Sequence, residues 1–278
     1  MPNSEVRPPA YLMGCHRSGT TLLRFLLDSH TDICCPPETK FLASFPELLR
    51  YPQALEGLRV SLDCSRTDYL RALRELVLGL YGKRLRQLNK TLLIDKTPNY
   101  FDLVPFLREL FPEGLRFIVL VRHPFDCALS LKGYFCDERT PGKLVYEDDR
   151  EINAHVSRFG SELAGWCLYW LNVNRVILDS LAQDEMVLLR YEDLVRDPSA
   201  NISKVLRFLN ETDQSDEIVV RAFSSSHLAG GDFEDKKIRK TSGIHDASVG
   251  AWKKYRGAWR ECPPEVAALA ARLGYEVE

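Results

Sequence analysis

The chain has 278 residues, of which 45% are hydrophobic and 27% charged, and its formal net charge at pH 7 is −2. This composition excludes a collagenous, disordered or low-complexity chain. The nearly balanced charge argues against bulk binding of nucleic acid and against a basic membrane-surface protein. A chain of this length buries roughly three quarters of its unfolded surface, so it can fold without disulfides or a structural metal.

Short apolar runs alternate with segments of helical periodicity along the chain. The runs predict buried strands at 11–13, 92–94, 116–121 and 186–189. Helices are predicted from Thr20, from a cap at Thr67 or Asp68, after Pro124, and over 104–110, 161–181 and 202–209. Because strands and helices alternate, we expect a central parallel sheet with helices on both faces.

Two polar stretches interrupt this alternation, at 134–158 and 224–250. Long loops inside a compact domain are typically functional lids or disordered segments, and we expect lids or acceptor loops here. Residues 1–9 are expected to form a flexible leader, and residues 10–278 a single domain.

The eight cysteines and six histidines give no signal of a disulfide framework or a metal centre. Neither a CxxC nor an HxxxH pair occurs, so we expect reduced thiols and no zinc site. No apolar stretch reaches the length of a membrane span, and the first ten residues lack the layout of a signal peptide. We therefore expect a cytoplasmic protein with neither membrane nor nucleic-acid partners.

The strongest motif joins the first predicted strand to the first helix, where residues 14–21 read GCHRSGTT. Two glycines five positions apart let the backbone N–H groups point inward at an anion, and the helix adds its positive dipole end. The pattern matches the phosphate loop G-x-x-x-x-G-K-[ST], except that Thr20 stands at the lysine position. Since Arg17 supplies a cation inside it, the loop suits an anion with less charge than a terminal phosphate. The alternative is a glycine turn with a capping threonine.

Three further positions carry candidate chemistry, each with a plainer alternative. Arg122 follows the clearest predicted strand, where an arginine either points into the ligand crevice of a parallel sheet or lies on the surface. Glu38, stiffened by two preceding prolines, is a general base or a solvated charge. Lys96 ends another strand and either reaches a transferring group or belongs to a helix-start turn.

Together these motifs resemble those of the sulfotransferases that use 3′-phosphoadenosine-5′-phosphosulfate (PAPS). Residues 14–22 look like the 5′-phosphosulfate loop of that family, and 119–124 with Ser130 look like its 3′-phosphate element. Residues 188–194 are similar to its strand ending in Tyr-Glu-Asp-Leu, and 95–100 resemble the lysine segment of glycan and peptide sulfotransferases. The resemblance implies a P-loop-like three-layer α/β fold.

The resemblance is closest to the tyrosylprotein branch, in which a glutamate after the loop acts as base, and Glu38 follows Arg17 by the matching 21 residues. It implies in-line transfer of a sulfuryl group to an acceptor hydroxyl without a metal, leaving adenosine 3′,5′-bisphosphate (PAP). The implied catalytic residues are Glu38 as base, with Arg17 and Lys96 stabilising charge. The implied cofactor-binding residues are His16, Arg17, Ser18, Gly19, Thr20, Thr21, Arg122, Ser130, Tyr191 and Lys240.

The sequence also departs from the family. It shows neither the membrane anchor and lumenal disulfides of the tyrosylprotein branch nor the Arg-Lys-Gly element of cytosolic members, which 239–242 and 248–253 are expected to replace. The acceptor stays open among sugar, phenol, peptide-tyrosine, lipid and small-metabolite hydroxyls. The alternatives are a kinase or NTPase in which Asp95 holds magnesium, and a nucleotide-binding protein without catalysis. If Glu38 is not the base, His16 or His123 would take that role.

Overall fold

A five-stranded, all-parallel sheet forms the centre of the protein in this computed structural model, which describes residues 7–136, 150–223, 243–255 and 262–276. The strands are β1 (Ala10–Met13), β2 (Ile33–Cys34), β3 (Leu92–Lys96), β4 (Arg116–Val121) and β5 (Met186–Arg190). Their order across the sheet is β2–β3–β1–β4–β5, and Ala10 of β1 lies between Ile94 of β3 and Arg116 of β4. The predicted α/β architecture with a parallel sheet is confirmed.

Helices surround this sheet. In chain order they are α1 (Thr20–Asp28), α2 (Pro46–Leu49), α3 (Pro52–Leu62), α4 (Arg66–Leu88), α5 (Val104–Leu110), α6 (Pro124–Phe135), α7 (Arg150–Phe159), α8 (Leu163–Ser180), α9 (Tyr191–Arg196), α10 (Pro198–Leu209), α11 (Ser215–Arg221) and α12 (Pro264–Arg272). Single 3-10 turns occur at Phe41–Ser44, Tyr100–Leu103 and Ala251–Lys254. None of the helices in the described ranges is both long and apolar enough to cross a membrane.

Each strand serves two hydrophobic cores, because successive side chains point to opposite faces of the sheet. On one face Tyr11 and Phe117 pack in a core with residues from α4, α5, α6 and α8. On the other face Leu12 and Ile118 pack with residues from α1 and α10. Burial on both faces explains why the predicted strands read as continuous apolar runs, and it produces the expected three layers.

The start of α4 differs from the prediction of a cap at Thr67 or Asp68. Ser65 is the N-cap: its side chain accepts from the Asp68 N–H, and the Asp68 carboxylate accepts from the Ser65 N–H. This reciprocal capping box satisfies two otherwise unpaired helix N–H groups. Asp68 therefore lies inside the helix, and the predicted cap was wrong.

The polar stretch 134–158 was predicted as a loop, but its last part is helical, since α7 covers Arg150–Phe159. Ile152 and His155 are buried against α8, where the His155 ring stacks on Trp166 with 5.9 Å between ring centroids. Charged residues at the start of α7 masked this apolar face in the sequence. Residues 137–149 lie outside the described residues, as do 1–6 of the predicted leader and 224–242 of the second predicted lid.

Candidate active site

The site residues predicted from sequence follow the carboxyl ends of the parallel strands. The loop 14–19 follows β1, Arg122 follows β4, and Tyr191 follows β5. Lys96 is the last residue of β3, and Glu38 lies beyond β2. Because parallel strands end at the same edge of their sheet, these segments form one crevice, the usual ligand position in open α/β sheets.

The loop between β1 and α1 approaches its neighbours so closely that it needs both glycines. A Cβ on Gly14 would lie 2.4 Å from the Leu120 carbonyl oxygen. Gly19 has φ +99°, and a Cβ there would lie 2.4 Å from the Tyr191 ring. Arg17 is also left-handed, with φ 66°. The predicted curled loop is therefore present, pressed against β4 on one side and Tyr191 on the other.

Arg122 connects three separate segments to the end of β4 at this edge. Its Nη1 donates to the Arg17 carbonyl oxygen at 3.0 Å, and its Nη2 donates to the Ser248 carbonyl oxygen at 2.7 Å. Its guanidinium lies over the Tyr191 ring at 4.7 Å, and the Tyr191 hydroxyl is 2.9 Å from Ser248 Oγ. The structure thus brings Arg122, Tyr191 and the loop together, as predicted.

Two buried polar atoms in this region have no hydrogen-bond partner among the described residues. They are Ser18 Oγ, on a fully buried residue, and Nε of Arg122, which is 7% exposed. A buried donor without a partner costs about 1–3 kcal/mol, a cost that an anionic ligand would remove. Arg17 Nε donates to Ser130 Oγ at 3.2 Å, so Ser130 lies at the same crevice.

The first turn of α1 carries the two predicted threonines. Thr20 is buried and Thr21 half-buried, at the end of the helix that faces the loop. Both residues therefore occupy the helix N-terminus, where backbone N–H groups and the helix dipole favour an anion. Of the predicted cofactor-binding residues, Lys240 lies outside the described residues.

Glu38 and Lys96 form an ion pair on the other side of the crevice. Lys96 Nζ lies 2.8 Å from Glu38 Oε1, and Lys40 Nζ lies 3.4 Å from Glu38 Oε2. Burial acts to raise the pKa of Glu38, but the charge and hydrogen bond of Lys96, with Lys40 and His16, hold that pKa below its usual value. The two predicted catalytic residues are thus in contact, with Glu38 ionised.

Asp95 anchors the segment that carries Glu38. Its carboxylate accepts from Tyr81 OH at 2.5 Å and from Thr39 Oγ1 and Thr97 Oγ1 at 2.8 Å each. Burial raises the pKa of Asp95, although the three hydroxyl donors oppose this. Since Thr39 follows Glu38, the contact holds the Glu38 segment against β3. Asp95 is engaged in this packing, which argues against the magnesium-holding role that the kinase alternative requires.

His123 makes contacts that stabilise the fold. Its Nδ1 accepts from the Phe125 N–H at 3.3 Å, its Nε2 donates to the Glu276 carbonyl oxygen at 2.8 Å, and its ring stacks on Trp252 at 4.8 Å. Burial lowers the pKa of His123. Asp126 accepts from the backbone N–H groups of Gly250 and Trp252, which fixes the segment 243–255 to α6.

A polar chain that no sequence pattern indicated starts in the loop. His16 Nδ1 lies 2.8 Å from Tyr169 OH, which donates to Glu151 Oε1 at 2.6 Å. Glu151 also accepts from Asn99 Nδ2 at 3.5 Å. Tyr169 was predicted only as part of an apolar helix, and Glu151 as part of a charged loop. No sequence spacing links these positions, because tertiary packing brings them together.

One group of possible metal ligands occurs among the described residues, away from this crevice. It comprises His30, Asp32 and Glu211, whose ligand atoms lie within 4.8 Å of one another. His30 Nδ1 already accepts from the Asp32 N–H and its Nε2 donates to the Thr212 carbonyl oxygen, both at 2.9 Å. Glu211 pairs with Arg7. These contacts account for the group without an ion.

A model of the sulfotransferase family matches residues 8–215 of this chain. The match includes the loop, the Glu38 and Lys96 segments, Arg122 and Tyr191, and it covers well over half of the sequence. The chain therefore belongs to the sulfotransferase family.

Individual relatives agree with this assignment. Nodulation protein NoeE from Sinorhizobium fredii (strain NBRC 101917 / NGR234) is 29% identical over 257 residues, which are 87% of this chain and 59% of the relative. This chain thus spans less than two thirds of NoeE. Protein-tyrosine sulfotransferase 1 from Danio rerio is 27% identical over 284 residues, covering 97% of this chain and 72% of the relative.

A solved structure has the same fold. The sulfotransferase domain from the curacin biosynthetic pathway superposes with a TM-score of 0.69 at 22% identity, covering 98% of this chain and 100% of the domain. The central sheet and its surrounding helices are therefore those of a sulfotransferase fold, as the sequence motifs implied.

Proposed function

We propose that the protein transfers a sulfuryl group from PAPS to an acceptor hydroxyl and releases PAP. Family membership supports sulfotransfer. The loop supports a phosphosulfate ligand, since it carries Arg17 but no lysine at the position of Thr20. In phosphoryl-transfer loops that lysine and a magnesium ion neutralise the γ-phosphate. A sulfuryl group carries less charge, so fixed cations of the protein suffice.

The observation that carries the proposal is the unsatisfied Arg122 Nε in the buried crevice beside the loop. The loop N–H groups with the N-terminus of α1 would bind the 5′-phosphosulfate. Arg122 and Ser130 would bind the 3′-phosphate, and Tyr191 would flank the nucleotide. Lys240 and its neighbours would cover the cofactor from the segment 224–250, whose end contacts Arg122 through Ser248.

The reaction needs a nucleophile, a charge stabiliser and a proton acceptor. The acceptor oxygen attacks sulfur while the bond from sulfur to the bridging phosphate oxygen breaks, and that electron pair leaves on PAP. Arg17 and Lys96 would stabilise the negative charge that develops on the transferring oxygens and the leaving phosphate. Lys96 is suited to this role because its side chain is only 5% exposed, so water screens its charge little.

Glu38 is the proposed base for the acceptor hydroxyl, and its ion pair controls its basicity. While Lys96 contacts Glu38, the pKa of that carboxyl stays low. An anionic sulfuryl group would attract Lys96 away from Glu38, after which burial of Glu38 would raise its pKa. Glu38→Gln should therefore reduce turnover about 10²–10⁴-fold with nearly unchanged nucleotide affinity.

The reaction requires an acceptor that carries a hydroxyl group, and this class includes sugars, phenols, peptide tyrosines and small metabolites. The whole-protein organisation is likewise part of the proposal: one domain over 10–278, with 134–158 and 224–250 adjoining the cofactor and acceptor. A cytoplasmic location is supported by the eight cysteines, all of which are free thiols in the structure.

Calorimetry with paired nucleotides tests the cofactor site. Arg122→Ala should weaken PAP binding roughly 10- to 150-fold, the value of a charge-assisted hydrogen bond, and should weaken adenosine 5′-phosphate far less. Ser130→Ala should show the same selectivity with a smaller loss. Arg71→Ala serves as a control, because that arginine is exposed and pairs with Asp68 within α4. Equal weakening of both nucleotides by the Arg122 and Ser130 variants would contradict the assignment.

A further inference from the structure

The two turns that carry Arg122 and Tyr191 leave the sheet side by side. β4 and β5 pair in parallel, and the last pair in their register is Val121 with Arg190. Arg122 follows the first of these residues and Tyr191 the second, so the backbone ladder that aligns the strands stops just before both. Within the sheet this ladder keeps neighbouring strands about 4.8 Å apart. The separation of Arg122 and Tyr191 therefore needs another contact to fix it.

The Glu192 side chain supplies that contact. Its Oε1 accepts from the His123 N–H at 2.9 Å, and both residues are buried. His123 is the residue after Arg122. Glu192 is the residue after Tyr191, so one carboxylate ties the two turns together just beyond the sheet. Because the site is shielded from water, the loss of either partner would leave a costly unpaired group.

The second oxygen of Glu192 is held by the segment that follows α12. Tyr275 OH donates to Glu192 Oε2 at 2.9 Å. Burial, with the charge of Glu192, raises the pKa of Tyr275 well above its ordinary value, so the hydroxyl keeps its proton and stays a donor. The Tyr275 ring lies under the Arg190 guanidinium at 4.3 Å and is 5.5 Å from the His123 ring, centroid to centroid. The Glu276 carbonyl oxygen accepts from His123 Nε2 at 2.8 Å.

The backbone at the end of α12 fixes Tyr275 in this position. The Gly274 N–H donates to the Ala271 carbonyl oxygen at 3.0 Å, and the Tyr275 N–H donates to the Ala270 carbonyl oxygen at 2.9 Å. This pair of bonds is the Schellman motif that ends many helices. Tyr275 is therefore anchored to α12 by its backbone and to the turns after β4 and β5 by its side chain.

We infer that Glu192 is a positioning residue for the 3′-phosphate of the nucleotide and that Tyr275 holds it in place. The inference deepens the proposed function and rests on it, because it assumes that Arg122 binds the 3′-phosphate. By bonding the N–H of His123, Glu192 keeps Arg122 where a charge-assisted hydrogen bond to the phosphate can form. Without the contact to Tyr275, the turn gains freedom that binding of the 3′-phosphate must then remove.

Calorimetry with PAP and adenosine 5′-phosphate tests the inference, with Tyr275→Phe as the main variant. The substitution removes one hydroxyl and keeps the ring. We expect PAP to bind roughly 3- to 30-fold more weakly, and adenosine 5′-phosphate to stay within about twofold of its wild-type affinity. The readout is the affinity for PAP relative to that for adenosine 5′-phosphate, because a general loss of folded protein would weaken both nucleotides alike.

Further variants separate positioning from stability. Tyr81→Phe is the matched control, since Tyr81 is another buried tyrosine that donates to a buried carboxylate, that of Asp95, at 2.5 Å. It should lower the free energy of unfolding but leave the relative affinity unchanged. Glu192→Ala should lower the relative affinity more than Tyr275→Phe. Glu192→Gln should recover most of it, because the amide oxygen can still accept from the His123 N–H.

Three results would overturn the inference. The first is a Tyr275→Phe protein with the wild-type relative affinity. The second is a Glu192→Gln protein that binds PAP no better than Glu192→Ala. The third is an equal change of relative affinity in Tyr81→Phe, which would show that this quantity follows stability alone.

Amide hydrogen exchange without nucleotide tests the same contact independently. The His123 N–H should exchange faster in Tyr275→Phe than in the wild type, relative to amides inside β4, because its acceptor is held less firmly. Unchanged relative exchange would overturn the inference whatever calorimetry shows. If the wild type binds PAP no better than adenosine 5′-phosphate, the 3′-phosphate assignment of the proposed function fails, while the exchange result still decides whether Glu192 and Tyr275 hold the turn.

Discussion

Gly19→Ala perturbs the cofactor loop at the point of closest contact. The residue has φ +99°, and a Cβ would lie 2.4 Å from Cδ2 and 2.6 Å from Cε2 of Tyr191. An L-residue in the left-handed region costs roughly 1–2 kcal/mol, and overpacking of a buried ring adds about 1–3 kcal/mol. Unfolding free energy should therefore decrease by about 2–5 kcal/mol.

The same substitution should also weaken nucleotide binding, because it displaces Tyr191, whose ring lies under the Arg122 guanidinium and whose hydroxyl is hydrogen-bonded to Ser248 Oγ. Urea unfolding and calorimetry with PAP measure the two effects. Gly57→Ala is the matched control. This glycine lies inside α3 with no atom within 4 Å of an added Cβ, so the free energy of unfolding should increase by about 0.5–1 kcal/mol. A Gly19→Ala protein within about 0.5 kcal/mol of wild type, with unchanged PAP affinity, would refute the reasoning.

Two further predictions concern buried groups around the site. Tyr81→Phe removes a donor from the buried Asp95 carboxylate and should cost about 1.5–3 kcal/mol in urea unfolding, whereas exposed Tyr51→Phe should change little. Equal effects of the two would contradict the role given to Asp95. Because burial lowers the pKa of His123 and of His155, unfolding free energy should fall as pH decreases below about 6.5, where the unfolded state binds the extra protons. His123→Asn should reduce this acid slope, and an unaltered slope would show that His123 does not cause it.

The structural features formed by residues close together in sequence were predicted best. A strand, a glycine loop and a helix follow one another directly, so the residue types at 14–21 predict their own geometry. The position of Arg122 could be predicted equally well, since a residue just after a parallel strand enters the crevice at the strand ends. The loop, Arg122 and Tyr191 accordingly lie together as expected.

The contact between Glu38 and Lys96 was not predicted, although both residues were named. It depends on β2, which has two residues and pairs in parallel with β3. A strand this short gives no periodicity to read, yet its pairing brings the segment after β2 to the end of β3. The ion pair, and with it the lowered pKa of Glu38, therefore follows from topology.

The hydrogen-bond chain from His16 to Glu151 could be predicted from the sequence even less. Its members lie on the loop, on α7 and on α8, and α7 falls within a stretch that reads as polar. The Ser65 cap was also missed, although it is local: its reciprocal bonds with Asp68 place the cap two residues before Thr67.

Transfer of labelled sulfur tests the central claim most directly. The wild-type chain is incubated with PAPS labelled in its sulfuryl group, excess metal chelator and a cell extract that supplies candidate acceptors, and the products are analysed by mass spectrometry. We predict a labelled hydroxyl product and an equal amount of PAP, with the rate unchanged by the chelator and reduced about 10²–10⁴-fold in Glu38→Gln. Nucleotide turnover that requires magnesium, or tight PAPS binding without label transfer over the whole extract, would contradict it.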